Sequence, residues 1–532
     1  MEGIEENSPI DKLPGEMLVE IFSLLESEDL QEVAKVRKEW STLIGQNSRT
    51  MKKLKIKLDL SKPWIEIFKE NFERKYHSIT IENCSAWNKD AMNTMRKLGG
   101  ELRNLELHDC EFSGGESKMI AKFFNTLSKL EINGSMSSDM EKYLIDYLST
   151  QTKLEELALR DIDFSASNLS IEQIKKLKFP LKRLALNKQF AFMAGEENAN
   201  EFLLKFVDTL ESLELGSKFS DSFYTIVFTK LTKLKQLELH VSCVPGDDSF
   251  IKSLHANPSV KKLIARGYRA NQQKTLEGII GNLPNIETLI LDGDPNDKLL
   301  TFISNNLMKL SSLKVRRLSG KMFNGVKMTG LKKLSVLELG EVSSKDWNQI
   351  CAAVPRVEEL SIRNIGHELS FTEAKFNIFT KYWRGLRVLN LVFDFKPKKR
   401  MFSYLLERCS NLNTVRIMSG CLADDPAFEN FKKNGLRLIV TNPYESTFFE
   451  NEAAGLWSNE EAQIYFNSES DGDSSYMEGD SDFDMNDLQF EAMGALFGAM
   501  MYDPDRDDQI YFDSDGDMRY WDEDPADYGF DY

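Results

Sequence analysis

The stretch LEELAL (residues 154–159) places leucines at 154, 157 and 159, with charged or small residues between them. The pattern Leu-x-x-Leu-x-Leu recurs on both sides with few gaps. Before it come Tyr76/Ile79/Ile81, Leu102/Leu105/Leu107 and Leu127/Leu130/Ile132. After it come Leu181/Leu184/Leu186, Leu210/Leu213/Leu215, Leu234/Leu237/Leu239, Val260/Leu263/Ala265 and Ile286/Leu289/Leu291. A less regular unit follows around Val315/Leu318, then Leu334/Leu337/Leu339, Val357/Leu360/Ile362, Leu386/Leu389/Leu391 and Leu412/Val415/Ile417. The units start from residue 76 to residue 412 in 13 steps, a period of about 26 residues.

That period resembles the leucine-rich repeat. Each unit supplies one short strand, and segments such as Ser117–Thr126, Met140–Ser149 and Asn200–Asp208 have helical apolar spacing. The fold class implied is α/β, a solenoid with parallel strands on the concave wall and helices on the convex one. Met51/Leu54/Ile56 reads as a degenerate first repeat, so about 14–15 repeats are expected across 51–441. Two units carry a cysteine where leucine-rich repeats place Asn or Cys, at Cys84 and Cys110.

In such a solenoid the leucines are core, and choice of partner falls to the side chains that alternate to the concave face. These include Glu82, Glu106, Glu131, Glu156, Glu214 and Glu238 in the first half, with Lys129, Arg160 and Arg183 among them. The second half offers Lys262, Arg266, Arg317, Lys321, Arg363 and Arg416, with fewer acids (Asp292, Glu338 and Glu359). The distal face reads either as a solvated surface or as a docking surface for an acidic partner.

Ahead of the repeats, residues 10–50 read as three short helices after a polar leader, 1–9. Met17, Leu18, Ile21, Phe22, Leu24 and Leu25 form a broad apolar stripe, with Pro14 in the first turn. Asp29 with Glu32 approximates a capping box, followed by Leu30, Val33, Val36, Arg37 and Trp40 at helical spacing. About 40 residues cannot build much private core. The unit is therefore either a cap on the repeats or half of an interface with another protein.

The chain of 532 residues carries a net charge of −17, unevenly spread. Residues 443–532 hold 26 Asp and Glu against Arg506 and Arg519, a net of −24, which leaves +7 for the rest. This acidic tail, 442–532, is expected to be largely disordered yet contains many aromatics, such as Trp457 and Trp521. Within it FEAMGALFGAMMY (490–502) reads as a short helix. Ser458, Ser468, Ser470, Ser475, Ser481 and Ser514 each precede an acid by three residues, the context of acidophilic kinases. KPKKR (396–400) is either a nuclear localisation signal or a solvated loop.

Several chemistries are not expected. The six cysteines are scattered without a Cys-x-x-Cys pair, which fits a reduced cytoplasmic or nuclear compartment and argues against zinc. His108 and Cys110 lack a third partner for catalysis. Asp513, Asp515 and Asp517 lack the Gly and Glu of a calcium loop. Neither a phosphate-binding loop nor a dinucleotide fingerprint is present, so no cofactor and no metal is expected. The leader has no basic n-region, and no stretch is apolar enough to span a bilayer.

Residues 13–43, LPGEMLVEIFSLLESEDLQEVAKVRKEWSTL, resemble an F-box. The matching positions include Leu13, Pro14, Leu18, Ile21, Phe22, Leu25, Leu30, Val33, Val36 and Trp40. With the repeats, the chain resembles the F-box/leucine-rich-repeat substrate receptors of cullin-RING ubiquitin ligases. The resemblance implies that these ten residues dock on a Skp-type adaptor and that the repeats hold a protein substrate. It also implies that the chain itself performs no catalysis. The alternatives are a non-catalytic binding or inhibitory scaffold, and a binder of basic proteins through the acidic tail.

Overall fold

A computed structural model describes residues 10, 13–25, 27–59, 76–83, 102–110, 126–134, 144, 147–160, 171–186, 196–216, 218–318, 320–339, 342–363, 372–392, 399–418, 437–441, 510–512 and 518–520. The chain divides into two compact units, Met1–Phe449 and Glu450–Tyr532. In the second, Ile510–Phe512 and Met518–Tyr520 pair as antiparallel strands. The tail serines, the 490–502 segment and the Asp513–Asp517 run lie outside the described residues, as do the 1–9 leader, Cys84 and most of KPKKR.

In the first unit the described strands form one sheet of 16, in chain order, with every neighbouring pair parallel. The first strand is Lys55–Asp59 and the last Arg437–Thr441. This is a leucine-rich-repeat solenoid. Helices such as Asp221–Thr229, Asp297–Asn306 and Glu373–Tyr382 occupy the connections.

Two devices recur from repeat to repeat. Just ahead of the strands from Ser78–Glu82 to Val388–Val392 one backbone carbonyl accepts two amides of the next repeat. The His77 carbonyl takes Arg103 N–H and Asn104 N–H at 2.9 Å, and the series runs to the Arg387 carbonyl with Asn413 and Thr414. These bonds pin the register, and the leucines then fall in columns that bury one continuous core, as at Leu105, Leu130, Leu157 and Leu184. Helix starts are marked by side chains that accept the orphan amides: Ser220, Asp247, Asn296 and Ser343.

The register corrects three sequence frames. Ile56 pairs with Ile79 and Leu58 with Ile81, so the first repeat reads Ile56/Leu58 rather than Leu54/Ile56. The unit expected to be irregular is regular: Leu313 and Val315 lie opposite Leu289 and Leu291. The next repeat is Leu331/Leu334/Val336, since Leu334 faces Leu313 and Val336 faces Val315. Leu337 and Leu339 carry the strand onward beyond the usual five residues. An added sixteenth strand at 437–441 follows the last expected unit.

The N-terminal helices are α1 (Gly15–Ser23), α2 (Ser27–Val36), α3 (Lys38–Gln46) and a fourth not expected, α4 (Ser48–Lys53). Pro14 is the N-cap residue rather than a first-turn one. Asp29 lies inside α2, which begins at Ser27, so the Asp29/Glu32 capping box does not form. Glu32 instead pairs with Lys35 at 2.6 Å. The unit caps the sheet edge. Ser27 Oγ accepts the Lys55 N–H at 3.0 Å and Gln31 Nε2 donates to the Lys55 carbonyl at 2.8 Å. An otherwise unpaired edge strand is thereby covered.

Asn257 shows how the convex loops are held. Its buried side chain donates to the Val227 and Leu231 carbonyls at 3.3 and 3.1 Å, one repeat back. Asn257→Ala removes both bonds, leaving the Leu231 carbonyl only the Leu234 N–H, and is expected to cost about 2 kcal/mol in urea unfolding. A cost below about 0.5 kcal/mol would mean water replaces the amide there.

Candidate binding surfaces

The N-terminal helices have two apolar faces. Leu18, Phe22 and Leu30 are buried and belong to the same core as the repeats. Leu13, Leu25, Val33 and Trp40 pack partly buried against that core, with the Phe22 and Trp40 rings 5.6 Å apart. These seven are therefore engaged within the chain. Leu18, Phe22 and Leu30 face the chain's own core and are already removed from water. Pro14, Ile21 and Val36 remain exposed, Val36 by 61%.

Two further exposed apolar residues were not among the expected docking positions. Met17 is 52% exposed and Leu24 78% exposed. With Ile21 they lie at i, i+4 and i+7 along α1 and its C-cap Leu24, one outward stripe of three large side chains. The signal was present in the sequence, since the apolar positions of α1 cover more of the helix surface than one core face needs, leaving only Glu16, Glu20 and Ser23 on the polar side.

On the sheet the concave residues fall into rows. The row between the two core positions runs Thr80, Glu106, Glu131, Ala158, Ala185, Glu214, Glu238 through the first half. Its charges are satisfied internally. Lys129 reaches Glu106 at 2.7 Å and Glu131 at 3.0 Å, and Lys55 bonds Glu106 at 2.5 Å. Arg160 bonds Glu131 and Glu214, each at 2.8 Å, bridging strands 54 residues apart. Ala158 and Ala185 occupy the intervening row positions and leave room for that guanidinium. Burial alone would raise the Glu106 carboxyl, but the charges and hydrogen bonds of Lys129 and Lys55 overcome it and lower it to about 2.

The distal strands differ. From Lys262 onward they contain nine basic residues (Lys262, Arg266, Lys314, Arg316, Arg317, Lys333, Arg363, Arg416 and Arg437) against Glu338 and Glu359. The first eight strands hold five basic and seven acidic residues. Of the expected substrate-facing cations, Arg266 is mostly buried and bonds Glu238 through its Nε. Arg317 pairs with Asp294 at 3.0 Å. Lys262 and Arg416 are part-exposed strand residues. Arg363 ends its strand, and its side chain lies outside the described set. Lys321 is placed differently from expectation, in the short helical turn Gly320–Phe323 past the strand, and its side chain too lies outside the described set. The shifted frame around 313–336 is what removes it from the concave rows.

At the strand ends, burial lowers the His240 imidazole and raises the Asp292 carboxyl. His108 and Cys110 do not form a reactive pair: the buried thiol donates to the Ile81 and His108 carbonyls at 3.5 and 3.3 Å. Burial pushes the Cys409 thiol up to about 11 and the Cys351 thiol higher still. Among the described residues no group of three His, Cys, Asp or Glu could hold a metal, and no helix is long and apolar enough to cross a membrane.

No protein-family model matches the chain, and no curated protein matches it. Among solved structures it is similar to the leucine-rich repeat-containing protein LegL7 from Legionella pneumophila. Identity is 14%, over 57% of this chain and 97% of that one, with a TM-score of 0.37. It is also similar to the yeast Rad7 and Elc1 complex, at 14% identity over 80% of this chain and 92% of that one (TM-score 0.35). The Toll–Spatzle complex of Drosophila aligns at 11% identity over 68% of this chain and 54% of that one (TM-score 0.34). These likenesses are of repeat architecture alone.

Proposed function

We propose that the chain is a substrate receptor of a cullin-RING ubiquitin ligase. In this reading α1–α3 form an F-box that docks on a Skp-type adaptor, and the repeats hold a protein for ubiquitination. One observation carries it: the Met17/Ile21/Leu24 stripe faces outward from a helix whose other face already completes the solenoid core. A helix serving only as a cap has no use for three large exposed apolar side chains. The F-box resemblance of residues 13–43 supplies the kind of partner. The chain acts without catalysis of its own, in the cytoplasm or nucleus, where thiols such as those of Cys351 and Cys409 stay reduced.

Burial of Met17, Ile21 and Leu24 is worth about 1.5–3 kcal/mol each on transfer scales, before association costs. The double variant Met17→Glu/Ile21→Glu is expected to weaken capture of a Skp-type adaptor at least roughly 100-fold, with the thermal midpoint unchanged. Wild-type levels of adaptor in the co-purified fraction would overturn the reading. A scaffold that captures adaptor without cullin would separate the inhibitory alternative.

A further inference from the structure

We propose that the sheet edge where the distal strands begin docks an acidic protein surface, anchored on Met308 at one end and Tyr382 at the other. It is a second surface, remote in sequence from α1, and it stands whether or not the receptor reading holds.

The turns that lead into the strands share one edge of the sheet, since all neighbouring strands are parallel. Four of them are locked in register by their backbone. The Ser311 carbonyl accepts Lys332 N–H and Lys333 N–H, that of Lys332 accepts Glu358 N–H and Glu359 N–H, and that of Glu358 accepts Arg387 N–H and Val388 N–H. Three strand steps of about 4.8 Å place Ser311 and Arg387 about 14 Å apart. On this frame Lys309, Lys332, Arg356, Lys381, Arg384 and Arg387 are all exposed. Within the four turns the one carboxylate is Glu358, shared by Lys332 at 3.0 Å and Arg387 at 4.0 Å. Lys309, Arg356, Lys381 and Arg384 have no acidic partner among the described residues. Earlier on the same edge the charges cancel in pairs: Glu155 with Lys182 at 2.9 Å, Glu211 with Lys235 at 2.7 Å and Lys261 with Glu287 at 3.0 Å. Closing a helix does not demand the surplus. Thr209, Ser259 and Asn285 hold the turn position of Lys309 and Arg356 in three earlier repeats.

Apolar exposure marks the same edge. Six large apolar side chains are exposed among the described residues, and four of them belong to the N-terminal helices. The other two are Met308, 77% exposed, and Tyr382. Met308 follows the helix Asp297–Asn306 and Tyr382 ends the helix Glu373–Tyr382, so they stand at the first and last of the four turns. Two outward anchors thus bracket a positive field, which selects an acidic partner with apolar side chains of its own. Met, Tyr and Arg are the side chains that protein interfaces favour. A nucleic-acid strand is a poorer match. Glu358 sits mid-row where a phosphate would lie, and a single ring offers little stacking.

The test uses the full-length chain and fluorescence anisotropy with two dye-labelled peptides. One is a run of Glu interrupted by two Leu about five positions apart, close to the span of the frame when extended. The other has Ser in place of both Leu. Both are expected to bind with affinity that falls as salt rises, the Leu peptide at least about fivefold tighter. Arg356→Glu and Arg384→Glu are each expected to weaken both peptides about tenfold, and Met308→Ser to remove the advantage of the Leu peptide. These side chains are exposed, so the thermal midpoint is expected to stay in place. Lys233→Glu, at the matching turn position of a balanced repeat, is expected to change neither affinity. Equal affinity of the two peptides, or equal weakening by Lys233→Glu, would overturn the proposal. So would a single-stranded oligonucleotide that displaces the Leu peptide at far lower charge equivalents. The Met17→Glu/Ile21→Glu variant should bind the Leu peptide as the wild type does, whatever its adaptor capture. Weakened peptide binding in that variant would put the peptide on α1 and overturn the edge as its site, whereas failed adaptor capture alone bears only on the receptor reading.

Discussion

Trp383→Ala is expected to destabilise the distal repeats by about 5 kcal/mol. Trp383 follows the helix Glu373–Tyr382, is fully buried, and meets Phe379 at 5.9 Å and Trp347 edge-on at 6.1 Å. Its Nε1 donates to the Val354 carbonyl at 2.7 Å. Val354 is the C-cap of the preceding convex helix, Ser344–Ala353, whose last carbonyls have no partner within the helix. One indole thus fills the core of its own repeat and closes the helix end of the repeat before it. Truncation removes about 3–5 kcal/mol of packing and leaves a buried acceptor worth about 1–3 kcal/mol. Trp383→Phe restores much of the packing but not the bond, and is expected to cost about 1–3 kcal/mol. Because repeats couple mainly to their neighbours, the loss is local. Hydrogen exchange should accelerate in strands 359–363 and 388–392 and change little at 104–108. Uniform acceleration along the sheet, or a cost under about 1 kcal/mol, would contradict this account.

The repeat was legible because its signal is redundant: a leucine column repeated every 21 to 29 residues is hard to imitate by chance. Single frames were less secure. Both Leu331/Leu334/Val336 and Leu334/Leu337/Leu339 satisfy the same spacing, and only pairing with Leu313 and Val315 decides between them. The ambiguity at Leu54/Ile56/Leu58 has the same origin. Helix starts at Ser220, Asp247, Asn296 and Ser343 could have been read from capping residues, although the convex segments lack strong periodicity.

The surfaces were only half legible. Residue types showed that the distal strands were richer in cations, but which charges were spent internally depends on partners one or two repeats away. Arg160 with Glu214, 54 positions apart, is beyond any local rule. On α1 the stripe from Met17 to Leu25 could be seen, but not its division into a buried and an exposed half. That division depends on where α3 and α4 press against it. On α1, Leu18 and Phe22 face the chain's own core, whereas Met17, Ile21 and Leu24 face solvent.

Glu106 gives the sharpest pH prediction. Its carboxylate is buried on the concave row between Lys55 and Lys129, and its folded value lies at about 2 against 4.5 for an unperturbed glutamate. A depressed carboxylate stabilises the fold at any pH above its unfolded value. That contribution is lost as pH falls through the folded value, so the window here runs from about 4.5 down to about 2. At 1.36 kcal/mol per unit the loss across the window is about 3 kcal/mol. Glu106→Gln keeps the shape but abolishes the titration, and it leaves Lys55 and Lys129 facing a neutral amide. It is expected to cost about 3 kcal/mol at pH 7, a cost that shrinks towards zero near pH 2, where wild-type Glu106 is itself protonating. Subtracting the two urea-derived stability curves removes the contribution of carboxylates remote from Lys55 and Lys129. Lys129, raised by Glu131 and Glu106 against the opposing effect of its burial, stays charged throughout and adds no slope in acid. A difference that stays flat from pH 7 to 2 would show that the Glu106 charge is solvated, and the proximal row would then be an open acidic surface instead of a closed ion-pair network.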